Sequence, residues 1–386
     1  MRVLILATDI YTRGGIARYT AALATALGQL LGAENVDLLP LLDGVGRRFV
    51  PAEYRILAAT TAGLTLGAKV RHAGRALRRA RSGYDLVICS HVSQAPVAAL
   101  IQLRHRTPYL VACHGSEAWG SLPVVKRAAL CRANLALAVS AHTARVLCRS
   151  NGVSQTRVRI LHNAIPEGLV RRLADLGVDG APDSEDGVRP QPGGKRGPVL
   201  LSVGSLSAAH AYKGVDTMIE ALPEILQAAP EVRYVVVGDG DHRPSLERLA
   251  IRQGVAGRVT FTGEVTDAEL AAHYRACDVF VLPSRAGQRH GRWDGEGIGR
   301  VYVEAALAAK PVVGSRDGGA AEAVLDGQTG LLVDPRSARE VAGAVITLLR
   351  SPERAAAMGA AGRRWALENF TVDSMRSSLE AILRSL

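Results

Sequence analysis

At 386 residues and 48% apolar, the chain is too long for one ordinary core and apolar enough for two, so two domains of about 150 to 200 residues are expected. No run reaches the roughly 18 apolar residues of a membrane span, and the apolar start, Met1 to Ala7, is broken by Asp9 and Arg13 too early for the core of a signal peptide, so a cytoplasmic protein is expected. The net charge of +11 would suit nucleic acid, but only 4% of residues are aromatic and no Arg/aromatic interleaving or known module appears, which argues against such a partner.

Five cysteines, Cys89, Cys113, Cys131, Cys148 and Cys277, are odd in number, scattered and never spaced C-x-x-C, which implies reduced thiols with neither a zinc site nor a disulfide framework. Along the first half, short apolar runs alternate with helical patterns. Strands are expected at Val3 to Ala7, Val36 to Leu41, Asp85 to Cys89, Tyr109 to Cys113, Leu135 to Val139 and Val158 to Leu161. Helices are expected at Ile16 to Leu31, Lys69 to Arg81, Ala95 to Arg104, Pro123 to Arg132 and Ala141 to Arg149. Continuous apolar strands separated by helices make a parallel sheet covered on both faces, whose ligands belong at the carboxyl ends of the strands. This α/β, doubly wound domain is expected to occupy residues 1–180.

Two features sit at such ends. Thr12-Arg13-Gly14-Gly15 follows the first strand and opens a helix; its glycines permit close backbone approach and leave amides facing a ligand. His114-Gly115-Ser116-Glu117 follows the fourth strand. Between them, Lys69, Arg71, Arg75, Arg78, Arg79 and Arg81, with His72, fill one helical window that holds no acid. That window is either a solvated face or a surface that docks on anionic lipid or a phosphorylated carrier.

Residues 181–197 change character: Pro, Gly, Asp, Ser and Lys with hardly an apolar residue indicate an exposed linker. A second alternating series then occupies 198–370, with strands at Val199 to Val203, Tyr234 to Val237, Val259 to Phe261, Val279 to Leu282, Pro311 to Gly314 and Leu331 to Val333. Lys213, one of only five lysines, stands at the turn after the first of these strands, where it can meet a phosphate as a point charge. Gly238-Asp239-Gly240-Asp241 lacks the third glycine of a dinucleotide fingerprint, since Arg243 stands in its place, and reads as a sharp turn. Asp317-Gly318-Gly319 also reads as a plain turn. The amphipathic tail, 371–386, forms a last helix.

The most informative stretch is Pro283 to Ala309, PSRAGQRHGRWDGEGIGRVYVEAALAA. An apolar strand ending at Leu282 delivers the backbone into a Gly-rich, charged loop, and a helical pattern begins at about Ile298. Glu296 lies in the loop and Glu304 eight positions on, about one and a half turns inside the helix. Gly297, Ile298 and Gly299 between them leave the first helical amides open, a seat for phosphate. A carboxylate deeper in the helix suits the paired hydroxyls of a ribose, and one in the loop suits hydroxyls beyond the phosphates. Together these describe a nucleotide-sugar.

Glu296, seven residues and Glu304, with Gly297 and Gly299 after the first acid, resemble the E-x7-E signature of the retaining, two-domain GT-B nucleotide-sugar glycosyltransferases of family 4. The resemblance spans nearly the whole chain outside the linker; Ser140 to Thr143 and Leu161 to Pro166 also look like landmarks of the family. It implies two Rossmann-like domains facing a cleft, the last helix returning to the first domain, and transfer of a sugar from a nucleoside diphosphate to an acceptor, which is a glycolipid, a polysaccharide precursor or a small molecule. Glu304 would hold the ribose, Glu296 and the amides of Gly297 to Gly299 the sugar, Lys213 the diphosphate, and Gly14 and Gly15 the donor phosphates or acceptor. The segment Gly263 to Val265 would read the base with its backbone, and His114 would lie near the transferred sugar.

Retention without an evident enzymic nucleophile fits a front-face mechanism, in which the leaving diphosphate takes the acceptor's proton while helix amides and Lys213 stabilise its charge. No metal and no cofactor are implied. The chain departs from the family at one point. The family usually carries an arginine for the diphosphate in a Gly-Arg-Leu after the first strand of the second domain, and here the triplet is Gly204-Ser205-Leu206. Arg300, in the first turn of the helix, is the expected substitute, with His210 second to it. Two other classes share the architecture: non-transferring nucleotide-sugar enzymes, such as epimerases or phosphorylases, the latter needing a lysine for pyridoxal phosphate, and catalytically silent nucleotide-sugar binders.

Overall fold

The apolar runs of the first half form strands buried on both faces in the computed structural model, which describes residues 1–12, 14–43, 53–60, 63–174, 197–289 and 291–386. The expected linker falls almost wholly on 175–196 and lies outside the described residues, as does Arg13. The described chain forms two compact units, Met1–Pro166 with Gln288–Trp293 and Asn369–Leu386, and Glu167–Gly287 with Asp294–Glu368.

In the first unit the order is β1 (Val3–Ala7), α1 (Gly15–Leu31), β2 (Val36–Pro40), β3 (Arg55–Ile56), α2 (Leu66–Ala80), β4 (Leu86–Cys89), α3 (Ala95–His105), β5 (Tyr109–Cys113), α4 (Ser116–Trp119), α5 (Val124–Arg132), β6 (Leu135–Ala138), α6 (Ala141–Asn151) and β7 (Val158–Ile160). The seven strands are parallel in the order β3-β2-β1-β4-β5-β6-β7. Alternate residues of β1 serve opposite cores: Val3, Ile5 and Ala7 join Leu23 and Leu27 of α1, whereas Leu4 and Leu6 join Ala76 and Ala80 of α2 and Ile101 of α3.

The second unit runs α7 (Glu167–Ala174), β8 (Val199–Val203), α8 (Val215–Ala228), β9 (Arg233–Val237), α9 (Arg243–Arg252), β10 (Val259–Gly263), α10 (Asp267–Ala276) and β11 (Val279–Val281). The chain then forms a hairpin, β12 (Gly287–Arg289) with β13 (Arg292–Asp294), where only a loop is expected from the sequence; its residues Gln288–Trp293 belong to the first unit. Then come α11 (Arg300–Leu307), β14 (Val312–Ser315), α12 (Ala320–Ala323), β15 (Gly330–Val333), α13 (Ala338–Arg350), α14 (Pro352–Asn369) and α15 (Val372–Arg384). Its six parallel strands are ordered β10-β9-β8-β11-β14-β15.

One helix sits elsewhere than the expected boundaries place it, and the last helix lies where the family resemblance implies. Helix α7 packs on α10 and α11 and so belongs to the second unit, although a first domain reaching residue 180 is expected from the sequence. Helix α15 belongs to the first unit, where Met375, Leu379 and Ile382 enter the core lined by α1. Each sheet reverses its strand order once, between β1 and β4 and between β8 and β11. Loops leaving the carboxyl ends of these pairs diverge and leave room for a ligand.

Candidate active site

In the second unit the loop after β8 carries Lys213 and the loop after β11 carries Glu296, so the two sit on either side of the strand-order reversal. Lys213 Nζ donates to Glu296 Oε1 at 2.5 Å, and the two side chains are only 12% and 13% exposed. The Lys213 ammonium also stands 5.6 Å from the centre of the Tyr212 ring. Burial, with the charges of Glu296 and Asp294, pushes the Tyr212 phenol pKa up, so it stays protonated.

A second residue stitches the two loops together. Arg285 donates its backbone N–H to Tyr212 O at 2.7 Å, and its Nη2 reaches Ala211 O at 2.5 Å and both oxygens of Asp216 at 2.8 and 2.9 Å. Gly214 has φ +77°, and a Cβ there would overlap the carbonyl oxygen of Pro283, so the backbone after Lys213 closes on the β11 loop as only glycine allows.

Helix α11 begins at Arg300, two residues later than the sequence pattern suggests, because Gly299 caps it in a left-handed conformation with φ +73°. Ile298 is buried, so only its backbone can face a ligand. The Gly318-Gly319 turn is more than a plain turn: Gly319 N donates to Glu296 O at 2.9 Å, and a Cβ on Gly319 would overlap the Gly297 carbonyl oxygen. Asp317, beside it, accepts from Ala286 N at 3.2 Å and from Arg336 Nη1 at 2.7 Å. This turn therefore props up the loop that carries Glu296, Gly297 and Gly299.

Glu304 lies one and a half turns into α11 and is 4% exposed. Tyr274 Oη donates to its Oε2 at 3.0 Å, and Arg300 Nη2 to its Oε1 at 3.1 Å. Burial, reinforced by Glu304, drives the Tyr274 pKa well up and keeps that phenol a donor. Each Glu304 oxygen accepts one bond and retains a lone pair for another donor. Arg300, expected on the diphosphate, is instead committed to Glu304, because an i,i+4 spacing sets the two side chains one above the other.

Ser205, His210 and Lys213 line one concavity with His242 and Leu246. Ser205 Oγ accepts from Ser207 N at 3.4 Å, and Ser207 Oγ meets His210 Nδ1 at 2.7 Å. Burial and then Lys213 lower the His210 pKa, opposed by Glu296 and Asp294. Gly238-Asp239-Gly240-Asp241 forms the expected sharp turn, in which Asp241 accepts from Ala208 N at 2.7 Å and so fixes the start of the His210 segment. Val265 directly precedes the Thr266 cap of α10 and is half-buried.

In the first unit, Gly14 and Gly15 open α1; both are exposed, and the first turn of that helix holds no acid. His114 follows β5. Its Nε2 lies 2.7 Å from Ser90 O, and a carbonyl only accepts, so Nε2 carries a proton. Nδ1 of His114 is buried with no hydrogen-bond partner in the described structure. His114 packs edge-on to Tyr19 at 4.6 Å and stacks on His91 at 6.4 Å. Burial, against the opposing charge of Glu117 and with help from His114 and Lys126, lowers the His91 pKa to about 4. On α2, Lys69, Arg71, Arg78 and Arg79 are exposed, as are Leu64, Leu66 and Val70, whereas His72 faces inward.

Of the residues singled out in the sequence, the second unit brings together Lys213, Glu296, Gly297, Gly299, Arg300 and Glu304. It adds Tyr274, Arg285, Asp317 and Gly319, whose sequence signals, a buried aromatic and charged or glycine-rich turns, are shared by many residues with no such role. Among the described residues, no group of three or more His, Cys, Asp and Glu could hold a metal ion.

Comparison with known proteins bears on these arrangements. Residues 13–168 match the model of Glycosyltransferase Family 4, and residues 197–351 that of Glycosyl transferases group 1. The chain is 34% identical over 371 residues to a GDP-mannose-dependent alpha-(1-6)-phosphatidylinositol monomannoside mannosyltransferase of Mycolicibacterium smegmatis, covering 93% of this chain and 91% of that one. It is 33% identical to a Mycobacterium tuberculosis protein of the same description, over 99% and 98% of the two chains. Among solved structures, HepE of Anabaena in complex with UDP superposes with a TM-score of 0.77 over the full length of both chains at 21% identity, a likeness of fold.

Proposed function

The chain belongs to the group 1, family 4 glycosyltransferases, has their GT-B fold and is a nucleotide-sugar glycosyltransferase; on that premise we propose that it moves a mannosyl group from GDP-mannose to a mannosylated phosphoinositide lipid, with retention at the anomeric carbon. The choice of donor and acceptor is supported by the mycobacterial relatives, which it matches over nearly its whole length. The observation that carries the mechanism is the gathering of Lys213, Glu296 and Glu304 on the loops and helix at the strand-order reversal.

In this reading Glu304 binds the ribose hydroxyls, Lys213 and the amides of Gly297 to Gly299 hold the diphosphate, and Glu296 orients the sugar. The backbone at Val265 meets the base, and the amides at Gly14 and Gly15 meet phosphate or acceptor. His114 offers Nδ1 to a sugar hydroxyl, since its other nitrogen is already spent on Ser90. Glu296 is tied to Lys213 and Glu304 is buried between Tyr274 and Arg300, so neither is presented as a covalent nucleophile. Retention then proceeds on one face: the C1–O bond to the diphosphate breaks, the acceptor oxygen bonds to C1 from the side the diphosphate leaves and gives its proton to the departing diphosphate oxygen, and Lys213 and the helix amides stabilise the charge on the diphosphate. Because protein groups meet that charge, the transfer needs no metal, and activity that survives EDTA is the expected result.

No helix among the described residues is long and apolar enough to cross a membrane. The exposed cations of α2 beside Leu64, Leu66 and Val70 support peripheral docking on anionic lipid at the cytoplasmic face, where a lipid acceptor is presented. Co-sedimentation with anionic vesicles should fall when Lys69, Arg71, Arg78 and Arg79 are changed to Glu. The donor assignment is tested by a thermal-shift screen over nucleotide-sugars, in which GDP-mannose should raise the Tm more than UDP-glucose does. The reverse order would contradict it.

A further inference from the structure

The donor reading places two negative charges of a diphosphate where the nearby cations are already balanced by carboxylates. Lys213 is paired with Glu296, Arg285 with Asp216 and Arg300 with Glu304. His210 differs: it lines the same concavity as Lys213, yet its Nδ1 bonds to a neutral hydroxyl, Ser207 Oγ, at 2.7 Å. A serine hydroxyl can donate to a neutral imidazole or accept from a charged one, so this contact holds the ring in both protonation states and directs Nε2 elsewhere. Ser205, which lines the same concavity, is short, exposed and uncharged.

We propose that protonated His210 supplies, through Nε2, the second cationic contact to the donor diphosphate beside Lys213, so that donor affinity rises as the pH falls through the neutral range. This rests on the nucleotide-sugar reading of the same site. The charged groups facing His210 are Lys213 on its own segment, Glu296 and Asp294 on the loop before α11, Asp216 on α8, and Asp241 and His242 at the start of α9. Without ligand, partial burial and Lys213 hold the pKa of the ring below its usual value, although the residue as a whole is exposed. An arriving dianion reverses the local balance and draws a proton onto the ring, so binding takes up a proton.

The test is calorimetric titration with GDP-mannose between pH 5.5 and 8.5, since its diphosphate diester keeps a constant charge over that range. The wild-type protein should bind about tenfold tighter at pH 6 than at pH 8, and His210→Gln should lose that slope and bind about tenfold more weakly at pH 6. Ser205→Arg combined with His210→Gln should recover the affinity without the pH dependence, because it puts a permanent cation into the same concavity. Lys213→Ala serves as the control. If it weakens binding while His210→Gln keeps the wild-type affinity and slope, the role of His210 is refuted and the donor site stands. If the wild-type protein fails to bind GDP-mannose at any pH, the donor reading falls and this one with it.

Discussion

Lys213 and Glu296 lie 83 positions apart in the sequence and 2.5 Å apart in the fold, with side chains that are nearly buried. An ion pair so placed holds the turn after β8 against the loop before α11, and removing one partner strands a charge at a cost of about 3 to 5 kcal/mol. In the proposed reaction Lys213 turns toward the diphosphate while Glu296 turns toward the sugar. Glu296→Gln should therefore lower kcat tenfold to a hundredfold and change the donor Kd by less than about threefold, whereas Lys213→Ala should weaken donor binding by tenfold or more. Steady-state kinetics alongside donor titration separate the two effects, and equal loss of binding in both variants would contradict the division of roles.

Glu304 is held by Tyr274 and Arg300 on its two oxygens. In the proposed donor complex Glu304→Ala removes the ribose contact and should raise the donor Kd tenfold to a hundredfold. Tyr274→Phe removes only one bond that orients the carboxylate, so a rise of about threefold to tenfold with little change in kcat is expected. A Tyr274→Phe variant as damaged as Glu304→Ala would show that the phenol does more than orient.

Gly319→Ala tests the prop beneath the site. The added methyl meets the Gly297 carbonyl, so the loop with Glu296 and Gly297 must shift. Activity should fall more than tenfold and the Tm by a few degrees, roughly the cost of overpacking, while far-UV circular dichroism stays close to wild type, since displacing a reacting group by about 1 Å can cost a hundredfold in rate. An active Gly319→Ala enzyme would show that the loop tolerates displacement.

Much of the fold was legible because parallel strands buried on both faces appear as continuous apolar runs. Val3–Ala7, Tyr109–Cys113 and Val199–Val203 match their expected limits. Glu296, Glu304 and Lys213 stood out for a similar reason: spacing and placement at strand ends are properties of the linear chain. What escaped depends on contacts between distant segments. The hairpin β12–β13 arises inside a stretch with no alternating pattern, and β3 has only two residues. The roles of Gly319 against Gly297 and of Arg285 across Ala211 and Asp216 exist only once three strand-end loops are assembled. Arg300 illustrates the limit in the other direction, because its helix position was legible but its partner, Glu304 one turn on, competes with the expected diphosphate.

The pH dependence of folding has a separate origin in His72, which is 1% exposed on α2, with Thr60 Oγ1 at 3.2 Å from its Nδ1. Burial and the neighbouring Arg75 lower its pKa to about 4, with the nearby Gln94 side chain opposing them. The folded form thus resists a proton that the unfolded chain accepts near pH 6.5. Its contribution is fully present above that value and is lost as the pH falls toward 4. The Tm of the wild-type protein should drop more steeply over that window than that of His72→Gln, and parallel profiles would assign the acid sensitivity elsewhere.

Proton NMR of GDP-mannose in the presence of the enzyme and a mannosylated phosphoinositide acceptor follows the transfer itself. Transfer with retention predicts that the anomeric signal of the donor is replaced, as GDP appears, by that of an α-linked mannoside on the acceptor, and that Glu296→Gln slows this replacement. A donor signal that persists unchanged would indicate a silent binder, its conversion to another nucleotide-sugar an epimerase-like enzyme, and a β-linked product an inverting one; any of the three would contradict the account.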